Sequence, residues 1–147
     1  MKIYIMAGCV AVGIIVIFYF LLGPPRLLAK TSEAVFCARC HVMESEYKAW
    51  MHGGAHSGKR CVECHLPNQN EIIFYIWKSI DGLKDVVVFY SGRVPERIET
   101  TTHAKEVLQA NCIRCHAQTV WHINQGRRCW DCHRRITHRF NGVRETV

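Results

Sequence analysis

The chain has few apolar runs long enough to build an aliphatic core after residue 24, where it becomes polar and basic. A large conventional core is therefore not expected in that part. A βαβ pattern is lacking as well, which argues against a thioredoxin-like fold around one redox-active cysteine pair. The formal net charge is +7, but the basic residues are not gathered into one stripe. Because they are scattered among cysteines and histidines, no nucleic-acid partner is expected.

One long uncharged segment lies at the amino terminus. The twenty residues from Ile3 to Leu22 carry no charge, and a hydrocarbon core of about 30 Å takes about 20 helical residues to cross. A cleaved signal peptide would have a shorter apolar stretch and a small-x-small cleavage site. The run ends instead at Gly23-Pro24-Pro25-Arg26, without such a site. We therefore predict a retained membrane anchor over residues 1–23 and a separate domain over residues 24–147.

Nine cysteines and nine histidines dominate the composition of so short a chain. Cys9 lies inside the apolar run and is not expected to have a role there. The other eight cysteines form four pairs, each followed by a histidine: Cys37-Ala-Arg-Cys40-His41, Cys61-Val-Glu-Cys64-His65, Cys112-Ile-Arg-Cys115-His116 and Cys129-Trp-Asp-Cys132-His133. We call these motifs 1 to 4, in chain order.

Each motif is C-x-x-C-H, the attachment signature of c-type haem. Two thiols three positions apart add to the two vinyl groups of one haem, and the next histidine then lies beneath the iron as proximal ligand. Disulfides give no reason for a histidine after every second cysteine. Zinc ribbons also use C-x-x-C pairs, but all four pairs here carry the histidine. The sequence therefore predicts four covalently bound haem c groups.

Haem attachment also predicts location and fold. Covalent attachment takes place outside the bacterial cytoplasmic membrane, so we expect a single-pass protein whose haem domain faces the periplasm. The positive-inside rule does not decide the orientation, since Lys2 is opposed by Arg26 and Lys30. Four haems in about 110 residues would supply most of the buried apolar surface themselves. The predicted fold is all-α, a multihaem cytochrome c with low secondary-structure content and almost no sheet.

One long helix without a haem motif is predicted from about residue 70 to residue 90. Asn68 or Asn70 would cap its start, and Ser91-Gly92 would end it. Lys78 and Asp85 are seven residues apart and so share one face, with Asp81 close to the same stripe. The opposite face is rich in Ile, Trp, Val and Phe, which is typical of a helix at a bilayer interface or against haem. By pattern alone, Lys78 and Asp85 are also compatible with an ordinary solvated pair.

The second axial ligands of the irons are not decided by the motifs. Six-coordinate iron suits electron transfer, whereas an open position invites substrate chemistry. Besides lysines, the candidates are His52, His56, His103, His122, His138, Met43 and Met51.

The chain resembles the small tetrahaem quinol dehydrogenases of the NapC/NirT family, above all the small subunits of ammonia-forming cytochrome c nitrite reductases. The resemblance covers nearly the whole chain: the amino-terminal anchor, C-x-x-C-H-x-M at motif 1, the long gap between motifs 2 and 3, Cys64-His-Leu-Pro67, and the final Cys-His-x4-His. It implies (mena)quinol oxidation, with electrons passing through four haems to a periplasmic multihaem nitrite reductase.

The resemblance also implies a ligand set. Met43 resembles the ligand of haem 1, with His41 as the alternative. His56 resembles a ligand of haem 4 beside His133, with His52 as its local rival. His138 resembles a ligand of haem 3 beside His116.

Haem 2 would be held by His65, its second position filled by a lysine of the partner subunit. A local lysine or His52 is the alternative. No role is implied for His103 or His122.

The family has a lysine and an aspartate seven apart on the corresponding helix, associated with quinol binding. By resemblance, Asp85 would lie on the distal side of haem 1 and accept a proton, while Lys78 would hydrogen-bond quinol or a propionate. Two alternatives remain: another periplasmic partner, such as nitrate reductase or a hydroxylamine oxidoreductase-like protein, or a passive electron-transfer anchor without quinol chemistry.

Overall fold

The computed structural model describes residues 2–23, 26–123 and 126–138, and within these ranges the chain forms helices and turns without a strand. The α-helices are α1 Lys2–Leu22, α2 Leu27–Lys30, α3 Ala34–Cys37, α4 Glu44–Met51, α5 Cys61–His65, α6 Glu71–Tyr90, α7 Thr102–Val120 and α8 Cys129–Cys132. Short 3-10 turns lie at His41–Met43, Gly54–His56 and Arg134–Thr137. The predicted all-α fold is confirmed. The predicted domain boundary falls beside residues 24–25, which lie outside the described residues, as do residues 139–147.

Helix α1 has the length and composition of a membrane-spanning helix. Its 21 residues correspond to about 31 Å at about 1.5 Å per residue, close to the hydrocarbon thickness of a bilayer. No residue of the helix is buried against the rest of the described chain. Nearly all of the helix surface is therefore exposed, and only Leu21 near its end is partly covered.

Helix α6 matches the sequence prediction, and its cap is Asn70. The Asn70 side chain accepts hydrogen bonds from the backbone N–H groups of Ile72 (2.8 Å) and Ile73 (3.2 Å), which satisfies two of the free donors at a helix start. The helix ends at Tyr90, and Gly92 then takes a positive φ of 68°, a conformation that glycine adopts without steric cost. Asn68 has a different task, because its amide donates to backbone carbonyls at the end of α5.

The described part of the chain has a very small apolar interior. Its buried hydrophobic residues are Ala34, Val62, Leu66 and Val107, and no large side chain there is fully buried. Three polar residues are as deeply buried as these: Ser32, Gln109 and Asn111. Buried polar groups are normally hydrogen-bonded, and here they connect parts of the chain that are distant in sequence.

Two amide side chains of α7 tie motifs 2, 3 and 4 together. Asn111, directly before motif 3, donates to the backbone carbonyls of Cys64 (2.9 Å) and Leu66 (2.8 Å). Gln109 accepts a hydrogen bond from the backbone N–H of Cys129 (3.1 Å) and donates to the carbonyl of Arg127 (3.3 Å). These buried amides hold α5 and α8 against α7 in place of a conventional apolar core.

The substitution Asn111→Leu is expected to lower the free energy of unfolding by about 1–3 kcal/mol. The partly buried Cys64 carbonyl loses this donor, and the buried Leu66 carbonyl keeps only the bond from Asn68. The measurement is urea unfolding of the haem-loaded protein in detergent, followed by far-UV circular dichroism. Gln118→Leu is the matched control, since Gln118 lies on the same helix and is exposed. Equal stability of the two variants would contradict the proposed tie.

Candidate functional site

The four motifs are placed on helical segments that present their cysteines at regular spacing. Motif 1 begins at the last residue of α3, motif 2 coincides with α5, and motif 4 begins with α8. Motif 3 lies inside α7, whose backbone leaves helical geometry at His116 (φ −109°, ψ 16°). Each motif histidine therefore follows its cysteine pair at or beyond the end of a regular helical turn.

Motifs 2 and 4 share a local device that starts their short helices. In each, the residue before the second cysteine is acidic, and its carboxylate accepts a hydrogen bond from the backbone N–H three residues earlier. Glu63 accepts from Arg60 at 3.2 Å, and Asp131 accepts from Arg128 at 3.1 Å. This is the carboxylate half of a capping box. It explains why C-V-E-C and C-W-D-C fold as helical turns of their own.

Cysteines of successive motifs lie close enough to affect one another. The Cys61 thiol hydrogen-bonds Cys37, which lowers the pKa of Cys37 to about 7 and raises that of Cys61. Burial, followed by the charges of Glu63 and Cys115, raises the pKa of Cys64.

The same holds for motifs 3 and 4. Burial, followed by the charge of Cys129 and a hydrogen bond to it, raises the pKa of Cys112 to about 11, and the charge of Cys64 adds to this rise. Motif 1 thus borders motif 2, motif 2 borders motif 3, and motif 3 borders motif 4. The four motifs form one cluster.

Two of the histidines suggested as distal ligands lie against motif histidines. The rings of His65 and His138 have centroids 6.1 Å apart, and those of His56 and His116 are 6.0 Å apart. His56 is held in place by the Trp50 indole, whose Nε1–H donates to the His56 carbonyl at 3.1 Å. Both histidines therefore belong to the motif cluster. The assignments of His56 to haem 4 and of His138 to haem 3 stay predictions, because the contacts are with motifs 3 and 2.

Burial favours the neutral form of two of these histidines, His65 and His138. Burial lowers the pKa of His65, and the nearby His138 lowers it further. Burial also lowers the pKa of His138, with Glu46 acting in the opposite direction. Neutral imidazole is the form that binds a metal.

These residues fit covalently bound haem c. None of the eight motif cysteines is joined in a disulfide, so all eight are available for thioether formation. At motif 4, Cys132 and His133 line a cavity of about 390 Å³ together with Arg134 and Ile136. The small apolar interior is also what a chain organised around porphyrins needs.

The two candidate ligands of haem 1 differ in their surroundings. The His41 ring packs on the Phe89 ring of α6, with centroids 5.4 Å apart. Met43 ends the same 3-10 turn and is partly buried. The His41 side chain would therefore keep its contact with Phe89 even if Met43 were the ligand of haem 1. The choice between Met43 and His41 stays open.

Lys78 is bound to the segment that follows the membrane helix. Its ammonium donates to the Leu28 carbonyl at 2.6 Å and to the Ser32 hydroxyl at 2.5 Å. The ammonium also lies 6.0 Å from the centre of the Phe74 ring. Burial lowers the pKa of Lys78, and the nearby Cys37 partly restores it. Lys78 therefore joins helix α6 to the segment that follows helix α1.

Asp85 is more accessible than Lys78. Its side chain is 74% exposed, and its carboxylate lies 3.7 Å from the Lys84 ammonium, which forms a shorter contact of 3.1 Å with Asp81. The surrounding protein raises the pKa of Asp85 by removing water, although Lys84 opposes this rise.

Lys78 and Asp85 act on a common neighbour, the first cysteine of motif 1. The charge of Lys78 lowers the pKa of Cys37 and the charge of Asp85 raises it. The charges of both predicted quinol-site residues therefore act on motif 1.

His52, the rival of His56, is exposed, and so are the two histidines without an implied role. His52 follows the last residue of α4, and His122 lies beside Trp121 with ring centroids 5.3 Å apart. His103 stacks on Trp77 of α6, with centroids 4.0 Å apart and planes 25° apart.

Four residues that fasten the site were not foreseen from the sequence. These are Leu28, Ser32, Gln109 and Asn111. An isolated buried serine or amide produces no periodic pattern in a sequence. The one available signal was the position of such a polar residue beside an apolar or cysteine-rich segment.

Comparison with known proteins agrees with these features. The profile of the NapC/NirT cytochrome c family, N-terminal region, matches residues 1–143. The cytochrome c-type protein NrfH of Wolinella succinogenes is 30% identical over 138 residues, which are 83% of this chain and 78% of that protein. The cytochrome c nitrite reductase subunit NrfH of Nitratidesulfovibrio vulgaris is 32% identical over 111 residues, or 74% of this chain and 69% of that protein.

A solved structure is similar over most of its length. It is the crystal structure of the cytochrome c nitrite reductase NrfHA complex bound to the HQNO inhibitor, with a TM-score of 0.68 and 27% identity, covering 91% of this chain and 90% of that chain. Covalently bound haem c and electron transport follow from membership in a family of c-type cytochromes. Motif, fold and sequence agree, and this chain belongs to the NapC/NirT cytochrome c family.

Proposed function

We propose that the chain is a membrane-anchored quinol dehydrogenase that oxidises quinol, menaquinol in particular, and delivers electrons to a periplasmic cytochrome c nitrite reductase. The observation that carries this proposal is the position of Lys78 and Asp85. Both lie within electrostatic reach of Cys37 in motif 1, and Lys78 is hydrogen-bonded to the segment that follows α1. A proton-handling pair beside a haem-attachment motif at the membrane surface suits a substrate that arrives from the bilayer.

Lys78 and Asp85 have different roles in quinol oxidation. Conversion of quinol to quinone breaks two O–H bonds and releases two electrons and two protons. Lys78 is a cation that can hydrogen-bond a quinol oxygen or a haem propionate. Asp85 has an exposed carboxylate that can accept a proton as a general base and pass it to water. The haem groups, when bound, supply one-electron carriers for the electrons.

The proposed cofactor content is four haem c groups. The thioethers come from the eight motif cysteines, and the mutual influence of cysteines in successive motifs supports one cluster. The irons would be held by Met43 or His41 at haem 1, His65 at haem 2, His116 with His138 at haem 3, and His133 with His56 at haem 4. Asp85 would stand beside haem 1 as the proton acceptor.

The proposed membrane topology has one spanning helix and a haem domain outside the cytoplasmic membrane. Helix α1 is long enough to span, and the motifs require the compartment in which haem is attached. The bilayer and its quinol pool are then the first partners of the chain, with residues 24–147 on the periplasmic side.

The proposed protein partner is the catalytic subunit of a nitrite reductase, which would reduce nitrite to ammonia and donate the distal lysine of haem 2. Two NrfH relatives, one named as a nitrite reductase subunit, and a structural neighbour from an NrfHA complex support this partner. Nothing in the chain requires it to reduce nitrite itself.

The partner can be tested by mild-detergent purification from native membranes, with mass spectrometry of the copurifying proteins and a quinol-driven nitrite assay. We expect a multihaem nitrite reductase and quinol-dependent ammonia formation. Copurification of a nitrate reductase or a hydroxylamine oxidoreductase-like protein would replace the partner but keep the quinol site. Quinol that fails to reduce any haem would leave a passive electron-transfer anchor.

A further inference from the structure

Ser32 has a buried hydroxyl group that has no role in the quinol site proposed above. It is 5% exposed and lies between the membrane anchor and motif 1 in sequence. Its Oγ lies 2.5 Å from the Lys78 ammonium and 3.3 Å from the Leu28 carbonyl. The hydroxyl can therefore accept from the lysine while donating its own proton to Leu28.

The Leu28 carbonyl is the third group of a hydrogen-bond network with Lys78 and Ser32. Its carbonyl accepts from Lys78 at 2.6 Å and from the Ser32 hydroxyl at 3.3 Å. Lys78 is 46 residues from Ser32 and 50 from Leu28 along the chain, so the network is a tertiary contact and not a local turn. It holds the lysine of α6 against the chain that leaves the membrane.

The donor count of the ammonium gives the network a chemical consequence. A lysine ammonium has three donors and no acceptor. Two of them are directed to Ser32 and Leu28, which leaves one for a quinol oxygen. Ordering a lysine side chain costs about 2 kcal/mol of rotamer entropy. Because the network already orders Lys78, this entropy is not lost when substrate binds.

We propose that Ser32 is a positioning residue of the quinol site, which together with the Leu28 carbonyl fixes the Lys78 ammonium so that its third donor faces the substrate. This inference rests on the proposed function, since it assigns Lys78 to quinol. Ser32 itself does not contact quinol in this scheme. It acts through Lys78 and should have no effect where Lys78 is absent.

The test compares steady-state quinol oxidation by the haem-loaded, detergent-solubilised protein in Ser32→Ala, Ser32→Thr and Lys78→Met. Hydrogen bonds to charged groups contribute about 1.5–3 kcal/mol, so kcat/KM for quinol should fall by about tenfold or more in Ser32→Ala. If the prepositioned Lys78 acts mainly in substrate binding, most of the decrease in kcat/KM should appear as an increase in KM. Ser32→Thr keeps a hydroxyl and should recover most of the activity.

A double-mutant cycle separates positioning from a structural role. In the Lys78→Met background, Ser32→Ala should cause no further loss, because the two side chains act as one unit. Ser79→Ala is the matched control, since Ser79 is exposed on α6 next to Lys78 and its hydroxyl donates to the Tyr75 carbonyl within the same helix. It should keep the parent kinetics.

Several outcomes would overturn the proposal. Parent kinetics in Ser32→Ala with clear loss in Lys78→Met would refute the role of Ser32 and leave the quinol site standing. Parent kinetics in Lys78→Met would refute the quinol role of Lys78 and the Ser32 role with it. Equal loss from Ser32→Ala in both backgrounds would assign Ser32 to structure alone. If Ser32→Ala fails to load haem, Ser32→Cys keeps the side-chain volume without the hydroxyl and takes its place in every comparison.

Discussion

Replacing Asp85 by asparagine is expected to slow quinol-driven haem reduction by about 100-fold or more, the lower end of what a positioned general base contributes. Asparagine has nearly the same shape but cannot accept the quinol proton at neutral pH. Dithionite should still reduce all the haems, because it bypasses the quinol site. Stopped-flow absorbance in the haem bands measures both reactions on the same sample.

Asp81→Asn is the matched control for this result. Asp81 is one helical turn from Asp85, and both carboxylates contact the Lys84 ammonium, at 3.1 and 3.7 Å. The two substitutions therefore remove the same charge from the same helix and the same ion-pair network. The charge of Asp85 acts on Cys37 in motif 1, whereas Asp81 forms the shorter contact with Lys84. We therefore expect Asp85→Asn to slow the reaction and Asp81→Asn to leave it near the parent rate. Equal rates in the two variants would refute the assignment of Asp85.

The local parts of the fold were predictable because short-range rules determine them. An asparagine followed by an uninterrupted helical pattern and Ser-Gly predicts a capped helix, and α6 begins and ends as expected. Asn68 and Asn70 could not be distinguished from the sequence, since either can cap. The structure separates them, because Asn68 closes the end of α5 while Asn70 caps α6.

The tertiary parts of the site could not be predicted in the same way. Seven-residue spacing places Lys78 and Asp85 on one face of a helix, but it does not say what that face meets. The contact with Ser32 joins residues 46 apart, and the contact of Asn111 with Cys64 joins residues 47 apart. Such contacts depend on how short helices pack around a cluster with almost no apolar side chains of its own.

The axial ligands illustrate the limit of motif reading. A C-x-x-C-H motif specifies its own histidine through chain geometry, whereas a distal ligand arrives from elsewhere in the fold. The structure brings His56 and His138 into the motif cluster, as a ligand role requires, but sets them beside His116 and His65. Spin state and ligand-specific absorption of single-histidine variants would resolve which iron each one binds.

Removal of motif 2 by Cys61→Ser and Cys64→Ser together is expected to leave three covalently bound haems instead of four. Without thiols no thioether can form, and His65 alone does not retain a haem through denaturing purification. Intact-protein mass spectrometry gives the haem number directly. Electron delivery from quinol to the partner should fall to background, because motif 2 lies next to motif 1 and holds the proposed exit haem.

Cys9→Ser is the control that separates attachment from cysteine chemistry in general. Cys9 is exposed on α1 and belongs to none of the four C-x-x-C-H motifs, so its loss should leave four haems and full electron delivery. A Cys61/Cys64 variant that still carries four haems would refute attachment at motif 2. A variant with three haems and undiminished delivery would instead place the exit at another motif, and the distal lysine of the partner would then have to be sought there.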